Sequence, residues 1–200
     1  MAELNAKLFR DFFGGSWHGT VYATLIGESK ESLVREVVFN WPSPYGDKSS
    51  LGTPEGWVAP PGGGVQDDTP QLGMAGWRCD IKRWCDPWFN VYGGYGELQW
   101  TSQAVVDGNT VLYGFAHECK KEGDDPCDHI AKCEIIGQDN FVYTITSFLK
   151  GTLRITGKRL RTAEELNKIL SAAGEAAKNG FADLVKLQDE FVEVGKRHSK

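Results

Sequence analysis

No apolar run in this chain approaches the roughly 20 residues that a membrane-spanning helix needs, so a helical membrane protein is not expected. The first residues, Met1-Ala2-Glu3-Leu4-Asn5, show no basic stretch followed by an apolar core. No secretory signal is therefore read, and a cytoplasmic location is expected. Basic charge is also lacking. A net charge of −5 and a pI near 5.4 leave no basic stripe to meet phosphates, which argues against a general nucleic-acid binder. The short run Lys158, Arg159 and Arg161 reads as a solvated strand end.

Familiar catalytic and phosphate-binding signatures are absent as well. There is no Gly-x-Ser-x-Gly, His-Glu-x-x-His or dinucleotide fingerprint, and Gly93-Gly94-Tyr95-Gly96 lacks the lysine of a phosphate loop. The cysteines are five, an odd number, which favours reduced thiols in a chain without an export signal. Cys119, Cys127, His129 and Cys133 are separated by seven, one and three residues, a spacing that matches no standard zinc knuckle. No metal and no cofactor is predicted.

What remains is a chain of 200 residues with an extended-strand signature, long enough to bury a core without metal or disulfide staples. Residues 2–13 read as a short amphipathic helix through Leu4, Leu8, Phe9 and Phe12, stopped by Gly14-Gly15. Strands are predicted at 16–26 and 33–41. From 42 to 76 the pattern breaks: six of the eight prolines fall there, so this segment is expected to be a mobile lid or binding loop. Strands then resume at 77–84, 89–92, 97–106, 111–120, 130–136, 141–149 and 153–160. Turn chemistry stands at Asp107-Gly108-Asn109 and Gln138-Asp139-Asn140. Short connections imply antiparallel neighbours, and about eight or nine such strands would close into a barrel to remove their edges.

Thr162-Ala163-Glu164-Glu165 has the form of a capping box and opens a helix with Leu166, Ile169 and Leu170 on one face. Lys178-Asn179-Gly180 reads as its end. A second helix carries Phe181, Leu184, Val185, Phe191 and Val192 at helical spacing. The fold class is thus mainly β: an antiparallel meander β-barrel over 1–161 with a short N-terminal helix and a C-terminal helical hairpin over 162–200. The apolar stripe on the second helix predicts packing on the barrel or a homodimer interface.

Gly15-Ser16-Trp17 on the first strand, then Trp77-Arg78-Cys79-Asp80, Gly93-Gly94-Tyr95-Gly96-Glu97 and Lys158-Arg159-Leu160 carry a resemblance. Over residues 14–161 the chain resembles uncharacterised lipocalin-like, calycin-type β-barrel families. That resemblance implies a barrel with an internal cavity, and it implies Trp17 inside with His18 outside; alternation alone leaves either face open. The long 42–76 insertion and the second C-terminal helix depart from the family pattern. A cone-shaped α+β barrel is the alternative fold.

Strand alternation nominates cavity-lining residues. Leu33, Arg35, Val37, Phe39 and Trp41 share a face; so do Val111, Tyr113, Phe115, His117 and Cys119; so do Phe141, Tyr143 and Ile145. Arg35, His117 and Tyr143 are the candidate catalytic groups, an imidazole to move a proton with a guanidinium and a phenol to steady an oxyanion. Phe39, Trp41, Trp57, Tyr113, Phe115 and Trp100 are the candidate ligand-binding residues. The expected function is binding of a small, largely apolar or aromatic molecule in the barrel cavity. The alternative is a cofactor-independent lyase, isomerase or cyclase acting on such a molecule, and the residues leave the choice between carrier and enzyme open.

Overall fold

The computed structural model describes residues 14–41, 62–66, 69–73, 76–78, 81, 83–90, 95–119, 123, 127–147 and 151–198. The strands are β1 (Gly15–Thr24), β2 (Ser32–Trp41), β3 (Gly62–Gln66), β4 (Thr69–Gly73), β5 (Gly76–Arg78) and β6 (Arg83–Asn90). They continue as β7 (Tyr95–Val106), β8 (Asn109–Cys119), β9 (Cys127–Ile136), β10 (Asn140–Ser147) and β11 (Gly151–Leu160). Two helices follow, α1 (Ala163–Ala173) and α2 (Glu175–His198). The N-terminal helix expected at 2–13 and most of the predicted lid, residues 42–61, lie outside the described residues.

All eleven strands belong to one antiparallel sheet in the order β4-β3-β2-β1-β11-β10-β9-β8-β7-β6-β5, with an additional pairing of β4 to β6. This corrects the lipocalin-like barrel expected from the sequence. Among the described residues β5 is left as an edge, and β4 meets β6 over only three residue pairs, Gln71↔Asn90, Leu72↔Phe89 and Gly73↔Trp88. That is not the closed ring of eight or nine strands predicted. The cause lies in the proline-glycine segment, whose latter part forms ladder instead of lid. Gly62–Gln66 pairs with β2 through Val37↔Gln66 to Asn40↔Gly63, and with β4 through Gly62↔Gly73 to Gln66↔Thr69. Pairing partners supplied by the rest of the sheet override the low local strand propensity of Gly and Pro.

Period-two alternation places Trp17, Gly19 and Val21 of β1 on the core face, in register with Arg159, Gly157 and Ile155 of β11. Trp17 is fully buried, and His18 points the other way, 3.4 Å from Glu36. The core gathers Trp17, Trp84, Leu98, Trp100, Leu112, Ala116, Ala131, Cys133, Ile135 and Phe141, with Phe39, Tyr143 and Ile155 packed against it. The β7–β8 turn has Asp107 at φ 51° and Gly108 at φ 82°, the two positive φ values a tight primed hairpin requires.

The capping box forms as expected. The Glu165 amide donates to the Thr162 hydroxyl at 3.1 Å, and the Thr162 amide donates back to the Glu165 carboxylate at 3.2 Å. The helix ends earlier than predicted, at Gly174, whose φ of 96° suits glycine and whose N–H donates to the Leu170 carbonyl. Lys178-Asn179-Gly180 lies inside α2. Leu170 of α1 and Phe181 of α2 are buried against Val38 on the outer face of β2, with Leu160, Leu166, Ile169 and Val185 packed around them. This corrects the predicted homodimer: Phe181 and Val185, assigned to an intersubunit stripe, are covered by the chain's own sheet and first helix.

Candidate functional site

The residues named from the sequence do not come together. Arg35 and Tyr143 lie on the core face, but in separate strands, joined by the register Arg35↔Val21, Val21↔Ile155 and Ile155↔Tyr143. Those three strand spacings amount to roughly 14 Å. His117 points to the outer face with 52% of its side chain exposed. The expected His117–Arg35–Tyr143 acid–base group is therefore not assembled. Tyr113 and Phe115 also face outward, at 37% and 39% exposure, which corrects their expected place in a cavity. Phe39 and Trp100 face inward, but as members of the packed core. Trp41 closes β2, and Trp57 lies outside the described residues.

Between Leu112 and Glu118 the alternation of β8 runs opposite to the expected phase, for a steric reason. Its core face is Leu112, Gly114, Ala116 and Glu118, where the strand must be thin. A Cβ on Gly114 would meet the Gln99 backbone carbonyl and the Trp100 ring. The large rings of Tyr113 and Phe115 are thus turned out because Trp100 already fills the space behind β8. The volume expected to hold an apolar guest is occupied by indoles and aliphatic side chains, which corrects the predicted ligand and its cavity.

Period-two counting from Ala116 places a set of polar groups on the core face. His129 of β9 is buried and Glu118 of β8 partly so, with His129 Nε2 2.9 Å from Glu118 Oε1 but off the line a hydrogen bond needs. Asp86 of β6 lies on the same face, opposite Leu98, and burial pushes its carboxyl up to about 6. Tyr143 is held well above the usual phenol range, first by burial and then by its electrostatic interaction with Asp86, Cys133 and Glu118. The Cys133 thiol is pushed up to about 12 by burial, with the Glu134 charge adding to it. Of these three shifts only that of Asp86 lowers stability at neutral pH, because Tyr143 and Cys133 are uncharged there whether the chain is folded or not. Among the described residues no group of three or more His, Cys, Asp or Glu is placed to hold a metal ion.

The outer face of β7, β8 and β9 has a different character. Phe115 stands between Gln99 and Ile130, Tyr113 between Ser102 and Lys132, and His117 between Glu97 and Asp128. Ile130 is 53% exposed. A β-bulge between Trp100 and Ser102 shifts the register, and the Thr101 hydroxyl donates to the Tyr113 carbonyl at 3.1 Å. Around the apolar centre the polar groups are already engaged with one another. Arg83 donates to Gln99 at 3.0 Å while its guanidinium stands 5.5 Å from the Phe115 centroid. Gln99 in turn donates to Glu97 at 2.5 Å, and His117 Nδ1 lies 2.7 Å from Asp128. Two rings and an aliphatic side chain are thereby presented to solvent inside a fixed polar border.

No protein-family model matches the chain, and no curated protein is significantly similar to it. Among the described residues no helix is long and apolar enough to cross a membrane.

Proposed function

We propose that the protein is a recognition module that docks a partner protein on the outer face of β7–β9. The observation that carries this reading is the exposed row of Tyr113, Phe115 and Ile130 on neighbouring strands. Exposed large side chains scattered singly need no explanation, but a contiguous aromatic patch rimmed by polar groups has the composition of an interface centre. Tyr and Phe offer large contact area with few rotatable bonds, which keeps the ordering cost of binding low. The rim formed by Arg83, Gln99, Glu97, His117 and Asp128 is held by its own hydrogen bonds before a partner arrives, and charges so placed select partners more than they add affinity. Cys85, Cys119 and Cys133 are buried and form no disulfide, which suits a reducing compartment and supports a cytoplasmic place of action.

The test places a photo-crosslinking amino acid at position 115, with a control at Lys158 on the outer face of β11. In cells that make the protein, a discrete adduct from 115 that is missing from 158 is expected. The adduct should disappear when Ile130→Asp is added. No discrete adduct from 115, or the same adduct from both positions, would sink this reading.

A further inference from the structure

The end of the β1–β2 hairpin carries an apolar surface that neither the core nor the aromatic face uses. Leu25, Ile26, Leu33 and Val34 are each between 47% and 62% exposed, four aliphatic side chains gathered on one hairpin. Strand pairing ends beneath them. β1 leaves β11 at Thr24↔Thr152, and β2 first meets β1 at Ser32↔Ala23, so residues 25–31 stand beyond the ladder. Val34 is the extra residue of a β-bulge, since Val21 faces Arg35 and Tyr22 faces Leu33.

This tip is held in place. The Glu28 N–H donates to the Leu25 carbonyl at 3.1 Å, with Gly27 at φ 84°. Gly151 of β11 passes so close that a Cβ there would meet the Thr24 carbonyl, the Leu25 Cα and the Ile26 nitrogen. Glu31 accepts two hydrogen bonds from Arg154, at 2.7 and 2.5 Å, and that guanidinium stands 4.5 Å from the Tyr22 ring centroid. Aliphatic side chains on a tip so fixed are ordered before they meet a partner, which lowers the cost of inserting them.

We propose that this tip inserts into a lipid surface of zwitterionic head groups. Area, composition and charge select that occupant. Four half-exposed aliphatic side chains offer on the order of 200 Å², against about 800 Å² that each partner gives to a standard protein interface. Leu and Val are under-represented among the anchors of protein interfaces, whereas Leu, Ile and Val enter hydrocarbon favourably. Charge at the tip is balanced: Glu31 is engaged by Arg154, and the exposed Glu28 stands with the exposed Lys30. A neutral tip meets zwitterionic head groups without repulsion and gains nothing from anionic ones. So few inserted side chains give a weak, reversible attachment. Ile130 leads to Thr24 through Thr146 and Thr152, three strand spacings or roughly 14 Å, so the aromatic face lies outside the inserted tip.

The experiment floats the whole chain with phosphatidylcholine vesicles on a density gradient. The bound fraction should rise with lipid and hold as salt rises. Replacing about a fifth of the lipid with phosphatidylserine should change it by less than about twofold. Leu25→Ser combined with Ile26→Ser should weaken binding by about tenfold or more. Val105→Ser, which removes an exposed aliphatic side chain next to the β7–β8 turn, should float as wild type does. Both variants alter exposed side chains, and an unchanged melting temperature checks that they fold. The proposal is overturned if the wild type does not float at millimolar lipid, or if binding requires phosphatidylserine. It is equally overturned if the double variant floats as well as wild type, or if Val105→Ser loses as much. A discrete protein adduct from a photo-crosslinking amino acid at position 26 also overturns it, because a protein would then cover the tip. The crosslinking result at position 115 is independent of these outcomes.

Discussion

The guanidinium of Arg159 lies 4.3 Å from the centroid of the buried Trp17 ring, directly across the β1–β11 ladder. Arg159 also donates to the carbonyls of Gly14 and Gln138 and lies 3.5 Å from Asp139. One side chain thus ties the start of the first strand, the β9–β10 turn and the end of the last strand to a core indole. The basic run that the sequence suggested was solvated is, at this residue, largely buried.

Arg159→Lys keeps the charge but loses the planar fork that serves the ring and the carbonyls together. A loss of about 1–3 kcal/mol is expected from the cation–π contact and the carbonyl bonds combined. Chemical denaturation should show a lower midpoint with little change in slope. A midpoint equal to wild type would mean the contact contributes nothing net.

Gly157 faces Gly19 across the same ladder, and a Cβ at 157 would overlap the Phe141 ring. That ring cannot swing away easily, because it packs 5.2 Å from Trp17. Gly157→Ala is therefore expected to destabilise by about 1–3 kcal/mol through overpacking. Gly108→Ala is a different case, since open space surrounds the site and any cost there comes from its φ of 82°. Comparing the two melting temperatures separates steric from backbone strain.

Asp86 supplies a pH dependence with a definite sign. Its folded pKa of about 6 stands above the ordinary 3.8, so the folded chain holds this proton more tightly than the unfolded chain does. Its contribution to stability is fully present below about pH 4 and is lost as pH rises through about 6. Asp86→Asn should remove that loss, making the variant more stable than wild type at neutral pH by at most about 3 kcal/mol. The difference between the two urea midpoints should shrink as pH falls toward 4. A constant difference across that range would show that burial of Asp86 does not control its proton.

Cys133 should resist alkylation. The thiolate is the reactive form, and burial that pushes the thiol to about 12 leaves almost none of it near pH 8. Peptide mapping after iodoacetamide treatment should find Cys133 unmodified in the native protein and modified once urea is added. Rapid labelling of Cys133 in the native chain would place the interior of β9 in exchange with solvent.

His117→Gln is expected to leave stability within about 0.5 kcal/mol of wild type, because its pairing with Asp128 is an exposed one. Its effect should appear at the outer face, as a change in the photo-adduct formed from position 115. A large drop in melting temperature would show that the His117–Asp128 contact holds the β8–β9 ladder.

Strand positions were legible wherever short-range pattern decides them. β7 through β11 fall within a few residues of their expected spans, since turn residues such as Asp107-Gly108 fix where each hairpin reverses. The capping box at Thr162 and Glu165 is equally local, being written within four consecutive residues. The candidate site was not legible, because alternation names two faces without saying which is inside. In β8 the row Tyr113–Phe115–His117 resembles a core and is the exterior, while Gly114 and Ala116 resemble filler and are the wall behind Trp100.

The sequence by itself determined the antiparallel hairpins, the capped C-terminal helix and the apolar faces, since each depends on residues a few positions apart. Tertiary structure alone decided three further things. It recruited Gly62–Gln66 and Thr69–Gly73 as strands, because a neighbour with unpaired backbone groups outweighs weak local propensity. It gathered Asp86, Glu118 and His129 from three strands onto one buried face. And it turned Phe115 toward solvent, because a core that already holds Trp17, Trp84 and Trp100 has no volume left for another ring.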